Sequence, residues 1–321
     1  MEDAAIIAPH FQDPVKAREF LEAKRWPDGP VCPKCGAGEL RQHWLKTQKR
    51  WQCRDCAKQF SVKVDTIFED SALKLDKWLT AMWMLANCKN GVSSYEVSRS
   101  IGVTQKSAWF MLHRIREAMK NKSIRKLGSS GGPVEVDETF VGAKPKNMHA
   151  NRRAKLNTAL RNWGDHKSIV VGMLDRDARE VRTKVIPDVK RETLQAEILR
   201  QVQDRSTVYT DRHVGYDTLK AAEFVHETVT HLDEYVRGEV HTQGIENFWS
   251  LLKRTLSGTY VAVEPFHLDA YADEQCFRFN NRATKDNPLD DQDRFMALLS
   301  QVSGKRLTYA ELTGKVGETP F

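Results

Sequence analysis

The amino-acid sequence lacks any apolar run that reaches the ~18 residues a helix needs to cross a bilayer, which excludes a transmembrane protein. Its first seven residues are acidic and too poor in apolar side chains for a signal peptide, so we expect a cytoplasmic protein. Internal repeats and long low-complexity tracts are absent too. The composition is that of an ordinary soluble globular chain, with 40% hydrophobic and 29% charged residues, and 321 residues suggest two or three domains.

The chain has only a small excess of charge, a formal net charge of +7, but this charge is unevenly distributed. Residues 1–132 hold 23 Lys and Arg against 14 Asp and Glu, a net charge of +9. Residues 133–321 hold 27 against 29, a net charge of −2. This asymmetry favours binding of a polyanion, nucleic acid, by the N-terminal part. A solvated basic face is the alternative that charge alone leaves open.

Cysteine is scarce, with six in the chain, but four of them form two Cys-x2-Cys pairs that 17 residues separate. The four are Cys32, Cys35, Cys53 and Cys56. The spacing predicts a structural Zn²⁺ site in a zinc ribbon, because four thiolates leave no open coordination position for chemistry. Residues 40–45 and 50–52 would supply the short strands. Disulfides, unrelated buried thiols and a redox pair are the alternatives, and the expected cytoplasmic location disfavours disulfides.

Composition and periodicity divide the chain into five segments. Residues 1–66 contain the zinc ribbon, 72–127 have helical periodicity, and the Gly- and Ser-rich stretch 128–133 is typical of a linker. Residues 134–285 alternate strand-like and helical segments, which predicts an α/β domain with a mixed sheet. Residues 286–321 are a C-terminal extension without a recognisable motif. The predicted strands are 134–142, 168–174, 180–186 and 207–211, with a further candidate at 224–230, and the predicted helices are 190–203, 215–222 and 241–256.

The helical segment has the pattern of a helix-turn-helix. Ser93–Ile101 forms the first helix, Gly102–Thr104 the turn and Gln105–Lys120 the second helix, which would enter a major groove of DNA. A plain structural hairpin has the same pattern and is the alternative. The side chains expected on the outer faces are Gln105, Lys106, Ser107, Arg114 and Arg116.

Three acidic residues lie where a sheet-based site would place ligands. Strand alternation puts Asp137 on the face opposite to the valines that precede it, and Asp211 ends a strand, where open α/β sheets bind ligands. Glu246 lies on the helix Thr242–Leu256 just off its buried stripe, and Lys253 follows two turns later on the same side. Taken singly, each acid is typical of a surface carboxylate, so only the set points to a site.

Converging carboxylates repel one another and would share protons at pH 7 unless a cation neutralised them. Hard oxygen ligands with open water positions suit Mg²⁺ or Mn²⁺. Two such ions ~4 Å apart would activate an attacking hydroxyl and stabilise the leaving oxygen in phosphodiester chemistry. The set of acids therefore favours a metal-dependent enzyme acting on DNA, with Lys253 holding a phosphate nearby.

At these motifs the sequence resembles the ISXO-like insertion-sequence transposases, which carry an N-terminal zinc ribbon before a DDE catalytic domain. The resemblance spans most of residues 14–282, and its most specific block is His241–Arg254. The 34 residues between Asp211 and Glu246 are similar to the spacing in many DDE recombinases. The other matching stretches are Arg25–Gly36, Val136–Gly142, Val208–Asp211 with Gly215 and Tyr216, and Tyr271–Glu274 running into Phe277–Arg282.

The resemblance implies a ribonuclease H-like catalytic fold in which Asp137, Asp211 and Glu246 hold two Mg²⁺ or Mn²⁺ ions and Lys253 is the accompanying basic residue. It also implies double-stranded DNA as the partner, both the terminal inverted repeats of the element and target DNA. A homo-oligomer would bind this DNA, in the nucleoid of a bacterial cytoplasm, without any membrane partner. The alternative ligands, ranked lower, are Glu135 and Glu138.

Two features depart from this family pattern or lie outside it. Gln243-Gly244 stands where relatives often carry a longer polar pair, and Gly costs ~1 kcal/mol inside a helix, so we expect the helix to begin only at Ile245. The insertion 144–167 has seven Lys and Arg against one Asp. It is expected to bind DNA backbone, with Arg152 and Arg153 among its contacts, although a disordered, solvated loop would have the same composition.

The sequence as a whole favours a transposase that cuts at the ends of its element and joins them to target DNA. A DNA-binding regulator would use the ribbon and the helix-turn-helix, but it would leave the three acids and Lys253 without a role. An inactive relic retained for DNA binding is the second alternative. None of the three acids that form the catalytic triad, Asp137, Asp211 and Glu246, is missing, which argues against a relic.

Overall fold

The computed structural model describes residues 8–120, 123–142, 167–211, 214–216, 224–229, 240–285 and 287–315. The chain folds as two compact units, one formed by residues 1–120 together with 281–321 and the other by residues 121–280. The division therefore falls at residue 120, before the Gly-rich stretch that the sequence indicates as a linker. Within the described ranges, no helix has the length and apolar character that a membrane span requires.

The first unit begins with two helices and a small sheet. Asp13 separates the helices and caps the second, because its carboxylate accepts hydrogen bonds from the N–H groups of Val15 and Lys16. The sheet is antiparallel with the strand order β1-β2-β3, and it contains the two short strands predicted for the zinc ribbon. The bounds are α1 Pro9–Gln12, α2 Pro14–Arg25, β1 Gln42–Leu45, β2 Arg50–Cys53 and β3 Gln59–Phe60.

Three further helices follow, and the last two form the predicted helical hairpin. Ser93 caps α4 in a capping box with Glu96, Gly102 ends α4 in the left-handed conformation (φ 61°), and Thr104 caps α5. The two helices and the turn thus lie where the sequence predicts them. The bounds are α3 Leu75–Asn87, α4 Ser94–Ile101 and α5 Gln105–Met119.

The placement of Arg114 and Arg116 on an outer face of α5 was wrong. Both are buried, because neighbouring elements cover the second half of this helix on all sides. The Arg114 guanidinium donates a hydrogen bond to the carbonyl of Glu69 (2.6 Å) and stacks on the rings of Trp78 and Phe110. A planar guanidinium on a long apolar stem suits such a sandwich, which periodicity alone does not reveal.

The second unit contains a five-stranded mixed sheet with flanking helices, as the sequence predicts. The strand order is β6-β5-β4-β7-β8, with antiparallel pairs from β6 to β4 and parallel pairs from β4 to β8. Of the predicted helix 215–222, residues 214–216 form a 3-10 turn and the rest lies outside the described residues. The bounds are β4 Val134–Val141, β5 Ser168–Asp175, β6 Glu180–Ile186, α6 Arg191–Gln201, β7 Thr207–Asp211, β8 Val225–Val229, α7 Gln243–Thr255 and α8 Leu268–Asn280.

The mixed sheet separates two hydrophobic clusters. Val134 and Val136 of β4 pack on the side of α6, together with Met173 of β5. Val170 and Leu174 of β5 pack on the opposite side, against α7 and α8. Because side chains alternate along a strand, the residues of β4 between its valines face α7. The predicted orientation of Asp137, opposite to the valines, is therefore correct.

The Gly-rich stretch 128–133 is packed within the second unit. The backbone N–H of Gly128 donates to a carboxylate oxygen of Asp175 (2.7 Å), and a Cβ on Gly132 would lie 2.2 Å from the Asp177 carboxyl carbon. Leu127 is buried and bridges to Val202. The glycines therefore permit close approach to neighbouring carboxylates, in addition to the turns that their composition indicates.

The C-terminal extension completes the core of the first unit. It contains α9 (Asp291–Leu299) and α10 (Tyr309–Leu312), and α9 packs on α3 through the buried ring of Phe295. The Lys305 ammonium donates to the carbonyl of Ala118 at the end of α5 (2.8 Å). A lysine in this position satisfies a carbonyl that the helix itself leaves without a partner.

Candidate active site and zinc site

The four cysteines of the ribbon are brought together as the spacing predicts. Their sulfur atoms all lie within 4.8 Å of one another, and the Cys32–Cys56 and Cys35–Cys53 pairs are each 3.6 Å apart. A tetrahedral Zn²⁺ with Zn–S bonds of ~2.3 Å places its sulfurs ~3.8 Å apart, whereas a disulfide requires ~2 Å. All four are free thiols, so the donor set fits zinc and excludes the disulfide alternative.

Tight turns aim these sulfurs at one point. The N–H of Gly36 donates to the carbonyl of Cys32, and Gly36 takes a positive φ of 74° that side chains disfavour. The apolar support is small, because the buried members of this cluster are Cys32, Cys53 and Phe60. A sheet of this size depends on the bound ion for its stability.

Asp137 and Asp211 lie side by side on the face of the sheet that α7 covers. Strands β4 and β7 are parallel neighbours with Val136 opposite Thr210, so the next residue of each strand, an aspartate, is directed to the same face. The pKa of Asp137 is raised to about 7, first by burial and then by the negative charges of Glu138 and Asp211. Two of the three predicted acids are thus adjacent and electrostatically coupled.

Helix α7 touches this pair through Trp249. Its indole N–H donates a hydrogen bond to a carboxylate oxygen of Asp137 (2.9 Å). Gly172 faces Asp137 across the sheet, and a Cβ there would lie 2.5 Å from the indole. The sequence indicates Trp249 only as part of the buried stripe of the helix. Its position three residues after Glu246 is the signal that would have placed it beside the acids.

Glu246 and Lys253 flank Trp249 along α7, three residues before it and four residues after it. Both are exposed, and residues at these spacings are neighbours on one side of a helix. The Glu246 carboxylate accepts a hydrogen bond from the Thr242 hydroxyl (3.0 Å). Among the residues that the structure describes, the three acids do not all lie within 4.8 Å of one another as the four thiols do. The sheet pairs the aspartates, whereas Glu246 lies on α7, the helix that contacts the pair through Trp249, and its place in the site stays a prediction.

The lower-ranked alternative ligands have other partners. Glu138 is directed to the α6 side, where its carboxylate accepts a hydrogen bond from the hydroxyl of the buried Tyr216 (2.6 Å). Glu135 faces α7 but is itself buried, and it forms an ion pair with Arg176 (2.6 Å). Asp137 and Asp211 lie next to each other, whereas Glu138 bonds a tyrosine on the other side of the sheet and Glu135 is paired with an arginine.

The predicted DNA-binding residues are only partly within the described structure. At the first turn of α5, Lys106 is exposed, Gln105 and Ser107 are half-buried, and Gln105 donates to the Ser94 hydroxyl (2.8 Å). This turn is the accessible part of the helix, and its role in DNA binding stays a prediction. Residues 152 and 153, both arginines in the basic insertion, lie outside the described residues.

Replacing Asp137 with asparagine is expected to stabilise the chain at pH 8 when no divalent cation besides zinc is present, and to stabilise it clearly less at pH 5. The folded chain holds the Asp137 proton up to a pKa of about 7, whereas the unfolded chain loses it near 3.8. The folded state therefore binds more protons between these values, and the stability of the wild type falls as the pH rises towards 7. The loss is complete above pH 7 and amounts to at most ~4 kcal/mol.

Thermal unfolding of both proteins at the two pH values measures this difference. Groups distant from Asp137 titrate alike in the pair, so their contribution cancels, and the difference reports on Asp137 and the acids beside it. An equal gap between the two melting temperatures at pH 5 and pH 8 would contradict the raised pKa.

Comparison with known proteins identifies two matching families and two relatives. Residues 130–280 match the ISXO2-like transposase domain, and residues 13–59 match a transposase zinc-ribbon domain. An "uncharacterized protein in transposable element ISH50" from Halobacterium salinarum is 29% identical over 249 residues, which are 75% of this chain and 83% of that protein. An "uncharacterized transposase-like protein" from Haemophilus influenzae is 35% identical over 106 residues, which are 33% of this chain and 85% of that protein.

Among solved structures, a chain from the cryo-electron microscopy structure of the simian T-cell lymphotropic virus intasome in complex with PP2A regulatory subunit B56 gamma is similar at a TM-score of 0.28 and 13% identity. The match covers 60% of this chain and 66% of that one, just under two thirds. A likeness this weak carries no argument about the fold.

Proposed function

The chain belongs to the ISXO2-like transposases, and from this premise we propose that it cuts DNA at the ends of its insertion element and joins those ends to target DNA. The observation that carries the proposal is the pair Asp137 and Asp211, adjacent on one face of the sheet beneath α7. A pKa of about 7 for Asp137 means that at neutral pH this carboxylate is only partly charged, and a bound cation would favour the fully charged pair. Phosphodiester chemistry with divalent ions requires such a pair.

The three acids and Lys253 would divide the work as follows. Asp137, Asp211 and Glu246 offer hard oxygen ligands suited to Mg²⁺ or Mn²⁺. When bound, two such ions activate an attacking hydroxyl, first of water and then of the freed DNA end, and stabilise the leaving oxygen. Lys253, exposed on the same side of α7, would hold a DNA phosphate. This scheme needs no covalent intermediate, and hence no Ser or Tyr nucleophile.

The topology of the second unit supports a ribonuclease H-like assignment for the fold. Three antiparallel strands continue into two parallel strands, and the two aspartates lie on the central strand and its parallel neighbour. The third acid comes from a helix packed on the same face. This distribution of acids over two strands and a helix is the one that the DDE resemblance implies.

Recognition of DNA is assigned to the first unit, and two element ends would be paired by a homo-oligomer of the chain. The zinc ribbon, the net charge of +6 over residues 1–120 and 281–321 and the exposed first turn of α5 support this assignment. Residues 287–315 pack within the same unit, so its DNA binding is to be measured on the whole chain.

Replacing Lys106 with alanine is expected to weaken binding of duplex DNA several-fold and to lower the slope of log affinity against log salt by ~1, the effect of one lost phosphate contact. Fluorescence anisotropy over a series of salt concentrations measures both quantities. Arg114→Ala is the matched control, because this arginine of the same helix is buried. It should lower the melting temperature and leave the salt slope of the folded protein unchanged. An unchanged slope for Lys106→Ala would remove this residue from the interface.

The proposed reaction is tested with an oligonucleotide duplex that bears the inverted repeat flanking this gene. We expect Mn²⁺ or Mg²⁺ to support cleavage next to the repeat and joining of the freed 3′ end to a second duplex. A duplex with a scrambled repeat and a reaction with EDTA are the controls. Products that form equally in EDTA, or no cleavage of any duplex with the zinc-loaded chain, would overturn the proposal.

A further inference from the structure

A buried carboxylate caps the N-terminus of α7, the helix that carries Glu246. Glu135 on β4 is 1% exposed, and its carboxylate accepts a hydrogen bond from the N–H of Ile245 (2.8 Å). The first N–H groups of a helix have no partner within the helix and are usually capped by the preceding side chain. Here Thr242 makes no such cap and its hydroxyl bonds Glu246 instead. The cap comes from the sheet.

Gly244 makes room for this cap, and it corrects the expectation that α7 begins only at Ile245. The helix begins at Gln243 and includes the glycine in its first turn. A Cβ on Gly244 would lie 2.9–3.0 Å from the Glu135 carboxylate oxygens and 2.4 Å from a methyl group of Leu174. A charge-assisted hydrogen bond at the positive end of the helix dipole offsets the helix-forming penalty of glycine.

Arg176, just after β5, connects this cap to two further points. Its Nε donates to Glu135 (2.6 Å), and its Nη2 donates to the carbonyl of His241 (2.6 Å), which enters α7. The guanidinium also lies over the ring of Tyr209, 4.9 Å from its centre. Tyr209 is the neighbour of Glu135 across the β4–β7 pair. One arginine thus contacts β4, β7 and the start of α7.

Each contact point stands one or two residues before one of the three acids. Glu135 precedes Asp137 by two residues, and a spacing of two keeps side chains on one strand face. Tyr209 stands in the same relation to Asp211. Ile245 is adjacent to Glu246.

We propose that Glu135 and Arg176 are positioning residues for the transposition reaction. The ion pair between the half-buried Arg176 and the buried Glu135 sets β4, β7 and the N-terminus of α7 in register, and through them the separation of Asp137, Asp211 and Glu246. The inference rests on the proposed function, because it assigns the pair a role in holding the acids at the spacing that divalent ions require. It needs neither residue to touch DNA or metal, in keeping with the burial of Glu135.

Arg176→Lys is the decisive variant. A lysine keeps the positive charge beside Glu135. It lacks the planar guanidinium, whose separate N–H groups donate to Glu135 and to the His241 carbonyl at the same time. We expect its Mn²⁺ dissociation constant to rise ~10-fold or more, the usual effect of losing an outer contact of a metal site. The kcat for cleavage should fall by a similar factor, with the KM for DNA unchanged. Mn²⁺ binding is followed by the electron paramagnetic resonance signal of the free ion, with the zinc-loaded Asp137→Asn chain as the blank.

Arg278→Lys is the matched control. Arg278 likewise pairs with a buried acid, Glu274, and it donates a further hydrogen bond to Gln275, both on its own helix α8. This substitution should lower the melting temperature comparably and leave Mn²⁺ affinity and kcat per folded molecule unchanged. Glu135→Gln keeps the shape of the side chain and an acceptor for Ile245, so it supplies a second test should Arg176→Lys fail to fold.

The outcomes separate this inference from the proposed function. Tight Mn²⁺ binding and cleavage in the wild type, with the same values per folded molecule in Arg176→Lys or Glu135→Gln, would overturn the positioning role alone. Equal losses in Arg176→Lys and Arg278→Lys would reduce the pair to a general stabilising contact and overturn it as well. A wild type that neither binds Mn²⁺ at the acids nor cuts DNA would overturn both.

Discussion

Replacing Asp137 with asparagine is expected to abolish strand cleavage and joining, with a loss in rate of about three orders of magnitude or more. The substitution removes the charge of a ligand shared with Asp211, so activation of the attacking hydroxyl and stabilisation of the leaving oxygen are lost together. Asp211→Asn and Glu246→Gln should have the same effect. DNA binding should be unchanged or tighter, because a negative charge near the phosphates is removed. The assay is gel analysis of cleavage and joining in Mn²⁺.

Glu138→Gln is the matched control for this set. Glu138 is adjacent to Asp137 in sequence but lies on the α6 side of the sheet, where it bonds Tyr216. Its substitution should leave cleavage within a few-fold of wild type. Lys253→Ala should weaken the reaction only in part, because a lost phosphate contact costs affinity more than chemistry. If Asp137→Asn cut and joined DNA at the wild-type rate, the assignment of the triad would be wrong.

Removing zinc is expected to unfold the ribbon of the first unit. The purified chain should contain one Zn²⁺, and Cys32→Ser should lose it. Ion binding contributes ~10–16 kcal/mol to folding in small zinc domains. The apolar cluster of the ribbon is small, with three buried residues, two of them zinc-ligand candidates, and five partly buried ones. Elemental analysis gives the zinc content, and near-ultraviolet circular dichroism follows the packing of Trp26 against Phe60, whose rings are 5.8 Å apart.

The control for the zinc prediction is Cys88→Ser, a cysteine outside the cluster of four. Its zinc content and its aromatic signal should match those of the wild type. A ribbon that stays folded without metal, with unchanged near-ultraviolet ellipticity, would contradict the structural role of the ion.

Several parts of this fold follow from local chemistry and were predictable for that reason. The Cys-x2-Cys spacing predicts the four-thiol cluster because two tight turns aim two sulfurs each at one point. Alternation along β4 predicts the face of Asp137, since a period of two leaves no other choice once the valines are buried. The caps at Ser93 and Thr104 predict where α4 and α5 begin.

Local patterns misled where distant residues decide the environment. Arg114 is charged and stands on a helix with polar neighbours, which indicates a solvated face, yet Glu69, Trp78 and Phe110 enclose it. The Gly-rich stretch indicates a linker, but the N–H of Gly128 donates to Asp175 and Gly132 leaves room for the carboxylate of Asp177. Apart from Phe110, these groups are far away in sequence, so no short window along the chain contains the whole cause.

The amino-acid sequence by itself determined the residues of the candidate site: the two aspartates, the glutamate, the lysine and the four thiols. Only the tertiary structure decided what holds them together. Helix α7 begins at Gln243 because Glu135, more than a hundred residues earlier, caps it, and Trp249 reaches Asp137 because Gly172 on another strand leaves space. Such contacts depend on the register of the strands and on how the helix packs on the sheet. Both are fixed only when the two faces of the sheet become buried during folding.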